Sequence, residues 1–323
     1  MRRLLSSVAL SAILAGGARA QEGVTGSEGA LFLLLPTGAQ AVGMGQAMVA
    51  ARPGSEGIWW NPASIAGEAK RELAIHHSKT VAGTGDALTF VTPIRSVVTA
   101  GISINILNIG DQQVVDENNV QIGVIFPRDV VFAASLSSRF AKRLAAGLNY
   151  KVIQLRVDCS GICGSVGAEV QSSKAVDLGA QYDVAVNGPL TFGAAIRNLG
   201  GKLNSRETNE RNPLPTQVEF GAMYRLKFID HYVKDTELRA AGSFVDTRSF
   251  GGKAVRLGTD VMYQNKVHLR AGYVGHDRRG DASASLGFGL QSGSLVFDIA
   301  RTFGGIPADN GQAPVYVSLR YLF

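Results

Sequence analysis

Pro314-Val-Tyr-Val-Ser-Leu-Arg-Tyr-Leu-Phe323 closes the chain with a strict alternation. Val315, Val317, Leu319, Tyr321 and Phe323 fall on one face, and Tyr316, Ser318 and Arg320 fall on the other. Alternation of period two is the mark of a strand with one face in an apolar medium and the other in a polar one. About ten residues is the length that crosses a bilayer when a strand tilts by about 45°. Strands of globular proteins average about five or six. The stretch therefore reads as the closing strand of a transmembrane β-barrel.

Working back from it, the same alternation recurs from residue 72 onward. The outward-facing residues begin with Leu73 and Ile75, then Leu88 and Phe90, then Ile102 and Ile104, then Phe132 and Leu136. They continue through Leu148 and Tyr150, Leu178 and Tyr182, Phe192 and Ile196, Phe220 and Tyr224, Leu238 and Phe244, and Val255 and Leu257. Leu269 and Tyr273, Leu286 and Phe288, and Phe297 and Ile299 lead to the closing strand. These segments predict an all-β, fourteen-stranded antiparallel barrel over 71–323. A soluble β-sandwich also alternates, but with shorter strands.

The opposite register holds Lys151, Asp177, Asp183, Arg197, Glu219, Arg225, Arg239, Arg256, Asp260, Arg270, Asp298 and Arg320. A lysine or arginine facing lipid at mid-bilayer costs about 2–4 kcal/mol, so such segregation places these charges in a lumen. Mixed signs favour pairing across the lumen over a selective constriction, which is built from rings of one sign. Short connections are expected near 94–96, 141–142, 187–188, 264–265 and 292–293, and long ones near 108–128, 157–172, 198–213 and 302–313. Short turns of such barrels face the periplasm. The stretch Phe228 to Asp235 is long for such a turn.

At the other end, Met1-Arg2-Arg3, the apolar run Leu4 to Leu14 and Ala18-Arg19-Ala20 form a secretory signal peptide over 1–20. Without Arg2, Arg3 and Arg19 the formal net charge falls from +6 to +3. The basic balance therefore gives no support to a nucleic-acid partner. Cys159 and Cys163 sit in a polar stretch of an exported chain, where a disulfide is the expected state and a free pair the alternative. Two thiols make a poor metal site.

Residues 21–70 do not alternate. They carry Gly43-Met-Gly45-Gln-Ala47 and, about fifteen residues on, Trp59-Trp60-Asn61-Pro62-Ala63. Gly43 and Gly45 permit a tight backbone path, and Pro62 suits the first position of a short helix. A compact segment is expected ahead of the strands. These two motifs, behind a leader and ahead of a β-rich chain, resemble the PorV/PorQ family, related to the FadL-type hydrophobe channels of the outer membrane. The resemblance implies a fourteen-stranded barrel with a folded N-terminal hatch over 21–70, in the outer membrane of a diderm bacterium. Asn61, Pro62 and Ala63 match the hatch motif. Phe323 matches the terminal aromatic read by the barrel-assembly machinery.

No Gly-x-Ser-x-Gly elbow, phosphate loop or His-Glu-x-x-His pair is present, and the reading is of a non-enzyme without metal or cofactor. The greasy stretch with Val114, Val115, Ile122, Val124, Ile125 and Phe126 is either a continuation of the strands above the membrane or a surface for a hydrophobe or a partner protein. Two functions follow from the resemblance. One is an accessory role in protein secretion or surface presentation, with secretion components or exported proteins as partners. The other is FadL-like passive uptake of hydrophobic small molecules.

Overall fold

The computed structural model describes residues 29–323 except 165–168, 187, 205–210, 227–228, 230, 248–251, 278–281 and 305–312. The leader expected over residues 1–20 lies outside the described residues, as do Asn187 and Phe228.

Fourteen strands form one closed antiparallel barrel. They are β1 (Glu72–Thr80), β2 (Gly83–Arg95), β3 (Val98–Asn108), β4 (Gln121–Ala141), β5 (Leu144–Gly161), β6 (Glu169–Asp183) and β7 (Leu190–Gly200). The circuit continues with β8 (Gln217–Leu226), β9 (Thr236–Thr247), β10 (Gly252–Tyr263), β11 (Val267–His276), β12 (Ser283–Ser292), β13 (Leu295–Gly304) and β14 (Val315–Leu322). Each pairs with its sequence neighbours, and β14 closes on β1 with Ile75 opposite Leu319. Closure removes the free edges that would otherwise leave backbone groups unpaired in lipid.

The alternation places the side chains as the sequence requires. Ile102, Phe220, Leu269 and Leu286 are more than half exposed on the outer wall, whereas Asn149, Asp177, Asp298 and Ser318 are fully buried on the inner one.

Connections follow two ends. One end carries the turns 96–97, 142–143, 184–189, 227–235, 264–266 and 293–294, and the other carries the long loops. The 227–235 connection belongs to the short-turn end despite its length. In the opposite sense, the two-residue turn 81–82 belongs to the long-loop end.

The long loop expected near 108–128 is shorter than that, and much of it is sheet. The β3–β4 connection spans 109–120 and contains the short strand Gln112–Val115, which pairs with β4 from Gln121 to Ile125. Ile122, Val124, Ile125 and Phe126 lie within β4, Val114 and Val115 within the short strand, and β5 runs alongside to Gly161. The sheet continues because Pro127 replaces only one ladder donor and the β-branched residues around it favour extended backbone. Cys159 and Cys163 are joined by a disulfide at this end of β5, with their Cα atoms 6.3 Å apart.

Candidate functional site

The described part of the segment before β1 folds against the inner wall. It has little regular structure: a 3-10 turn Leu31–Leu34, one helix α1 (Ala39–Gly43), and 3-10 turns Gly54–Trp59 and Pro62–Ile65. α1 packs against β11 to β14, Gly54–Trp59 against β1 and β2, and Pro62–Ile65 against β4 to β6. Met44, Met48, Ile58 and Ile65 are almost wholly buried. The contact surface thus reaches round the lumen.

Asn61 shows why the segment folds as it does. Its side-chain oxygen accepts from the Ala63 N–H at 3.0 Å, capping the turn that Pro62 begins. Its amide donates to the Val49 carbonyl at 2.6 Å and to the Ala180 carbonyl of β6 at 3.2 Å. One side chain therefore holds two parts of the segment together and ties them to the wall.

The wall meets the segment with glycines. A Cβ at Gly147 of β5 would strike the Pro62 carbonyl group, and one at Gly179 of β6 would strike the Asn61 side chain. On the far side Gly45, with φ +56°, lies against Gly272 of β11, and Gly43 lies against Gly287 of β12. Gly45 is needed both for its left-handed backbone and for this approach.

Around these contacts run ion pairs. Lys151 meets Asp177 at 2.7 Å, and Asp177 also accepts from the Asn198 N–H at 2.7 Å. Arg197 and Arg256 both bind one oxygen of Glu219, at 3.1 and 3.0 Å, while Ser243 donates to the other. Both guanidinium groups also lie over the Trp60 ring, 5.2 and 5.5 Å from its centroid. Trp60 in turn donates to the Thr37 carbonyl.

Farther round, Arg270 bridges Asp260 and Asp298, and Arg320 joins Asp298 to Glu72 while donating to the Pro53 carbonyl. His268 also contacts Asp260, at 3.0 Å. Arg225 and Arg239 sit nearer the short-turn mouth, half-buried beside Glu237. Asp183 is held there by Arg52 of the segment and by Arg139.

Charges buried at this depth persist only when paired and hydrogen-bonded. Among the described residues both signs are interleaved around the wall, so a single-sign ring does not form.

Several participants escape a reading by alternation. Glu56 is fully buried in the segment, and its Oε1 accepts from the Ala41 N–H at 2.6 Å. Burial pushes its carboxyl up to about 8, with Arg320 opposing. Glu68, at the exit to β1, is pushed up to about 7 by burial and by the neighbouring Glu72 charge. Arg52 and Glu56 lie where no period exists to mark a face, and Glu72 is the first residue of its strand.

Among the described residues, a cavity beside Trp60 and Phe32 and another beside Phe32 and His76 are each about 30 Å³. That is space on the scale of a water molecule. Phe323 lies at the seam instead, exposed and stacked on Tyr321 at 5.4 Å, with its backbone exchanging two hydrogen bonds with Arg71. Among the described residues no group of three or more His, Cys, Asp or Glu is placed to hold a metal ion.

A family model described as "Type IX secretion system protein PorV" matches residues 18–240. The chain belongs to the PorV family. No curated protein matches it.

Among solved structures, this PorV-family chain is similar to the CymD monoaromatic hydrocarbon channel, with a TM-score of 0.61 and 13% identity over 90% of this chain and 97% of that one. It is also similar to the Pseudomonas putida toluene transporter TodX, at 0.59 and 12% over 88% and 97%. A Pseudomonas aeruginosa FadL homologue gives 0.56 and 13% over 90% and 98%. At such identities the likeness establishes the fold alone, a barrel of FadL-type architecture; that fold and the PorV family together indicate an outer-membrane protein. PorV and FadL-type families are non-enzymatic barrels of secretion or transport.

Proposed function

We propose that this barrel is a closed accessory of protein secretion at the outer membrane, with residues 21–70 acting as a hatch. In this reading it works through its rims and outer surface, and secretion components or exported proteins are its partners. The observation that carries it is the anchoring of the segment on every side of the lumen. Asn61 bonds to β6, Arg197 and Arg256 lie over Trp60, and α1 packs on β11 to β14. A route through such a lumen would have to break these contacts together. The family membership supports a secretion process.

The test pairs two measurements on the mature protein. Planar-bilayer recordings should show no steady conductance for the intact chain and clear conductance for a version lacking residues 21–66. Affinity capture from gently solubilised membranes should recover secretion components or exported cargo. Steady conductance of the intact chain, or recovery of the barrel alone beside a preserved control complex, would sink the reading.

Passive uptake of a hydrophobic small molecule is the second reading, supported by the likeness to hydrocarbon channels and by the apolar residues of 112–126. It requires the segment to withdraw, since the cavities beside it are about 30 Å³. Uptake of a labelled aromatic hydrocarbon that disappears on deletion of residues 112–124, with the barrel still assembled, would favour it.

A further inference from the structure

The short-turn end carries a charge imbalance that neither the lumen network nor the family accounts for. Outside the lumen, its turns and the β1–β14 seam expose Lys70, Arg71, Arg95, Lys142, Arg143, Lys234 and Lys266. Among the described side chains only Asp235 stands exposed against them with the opposite sign. The long-loop end differs, exposing Asp86, Asp111, Glu117 and Asp277 among its cations.

These cations are not scattered over a soluble surface. Most adjoin an outward-facing apolar side chain at a strand end. Arg95 follows Ile94, Lys142 and Arg143 lie between Phe140 and Leu144, and Lys266 precedes Val267. Arg143 lies over the lipid-facing ring of Tyr182, 5.6 Å from its centroid. Cations beside an aromatic at the edge of an apolar band stand at headgroup depth.

We propose that this rim binds anionic phospholipid headgroups of the leaflet it faces. Phosphate esters of the phosphatidylglycerol type supply the missing negative charge at the depth where the cations stand. An acidic soluble partner would meet only the tips of the turns, whereas these side chains flank lipid-facing residues. The contact is electrostatic, so it weakens with salt.

The test uses the full mature chain in phosphatidylcholine bilayers doped with spin-labelled lipid. The motionally restricted fraction of labelled phosphatidylglycerol is compared with that of labelled phosphatidylcholine. The expected preference is roughly fivefold, falling to near unity at about 1 M salt, where the Debye length is about 3 Å. An Arg95→Gln, Lys142→Gln, Arg143→Gln, Lys266→Gln variant should lose it while keeping heat-modifiable migration. An Arg128→Gln, Arg156→Gln variant of the other end should keep it.

Equal restriction of both lipids by the unaltered chain would overturn the proposal. So would a preference that survives either the fourfold variant or high salt. If the fourfold variant does not fold, the salt series decides alone. Salt-sensitive capture of soluble polyglutamate without any lipid preference would overturn the proposal in favour of an acidic protein partner.

Discussion

Asn61 donates its side-chain amide to the carbonyl of Ala180 on β6, 3.2 Å away, and so fastens the N-terminal segment to the barrel wall. The same side chain caps the following turn and holds the Val49 carbonyl. Asn61→Ala removes the cap and orphans buried carbonyls, costing about 1–3 kcal/mol of segment docking. Protease cleavage within residues 29–66 should accelerate while heat-modifiable migration of the barrel is retained. Unchanged cleavage would show that the segment is held elsewhere.

Gly147→Val places a side chain where the Pro62 carbonyl group now lies. Backbone cannot give way as a flexible side chain does, so the segment should leave the wall locally. The expected result is an assembled barrel with raised single-channel conductance. A valine at Gly201, where a Cβ would meet nothing nearer than 3.5 Å and the backbone is not left-handed, is the control for an added side chain that fits.

Glu219 neutralises Arg197 and Arg256 together. Glu219→Gln leaves two buried guanidinium groups short of their counter-charge, and breaking a buried pair costs about 3–5 kcal/mol. The urea midpoint in lipid should fall accordingly. Replacing all three by apolar residues of similar volume should cost less than the single change.

Glu56 makes the segment pH-dependent. Its carboxyl is pushed up from 4.5 to about 8 by burial, so the folded chain binds more protons than the unfolded one between those values. Stability is therefore highest below about pH 4.5 as far as this group is concerned, and it falls as pH rises towards 8. Glu56→Gln should flatten that part of the dependence. The check is segment protection from proteolysis across pH 4–9 in both proteins, with equal slopes counting against the assignment.

Removing the Cys159–Cys163 disulfide by Cys→Ser changes should cost at most about 2 kcal/mol, because the loop it closes is short. Faster proteolysis near residues 159–163 with an unchanged barrel midpoint is the expected outcome.

How far the sequence could be read follows the physics of alternation. Lipid punishes a misplaced charge, so Leu269, Phe288 and Arg270 declare their faces without any knowledge of neighbours. Partners are another matter. The double use of Glu219 depends on the offset between β7, β8 and β10, which no single strand encodes. Gly147 and Gly179 resemble any strand glycine until the path of Pro62 is known. Residues 39–66 have no period, so Glu56 and Arg52 gave no sign of facing buried partners. The length of β4 and β5 was hidden because Pro127 and the polar residues after Ile109 look like the end of a strand.

The backbone exchange between Arg71 and Phe323 makes the molecule a ring whose clasp lies directly beside the point where its contents begin. A barrel whose last strand seals against the first at residue 71 leaves residues 29–70 two histories: they are in place when the clasp shuts, or they thread in afterwards through an open mouth. A longer leader domain fused ahead of residue 29 would separate the two, since cargo too large for the mouth is compatible with the first order of events and blocks the second.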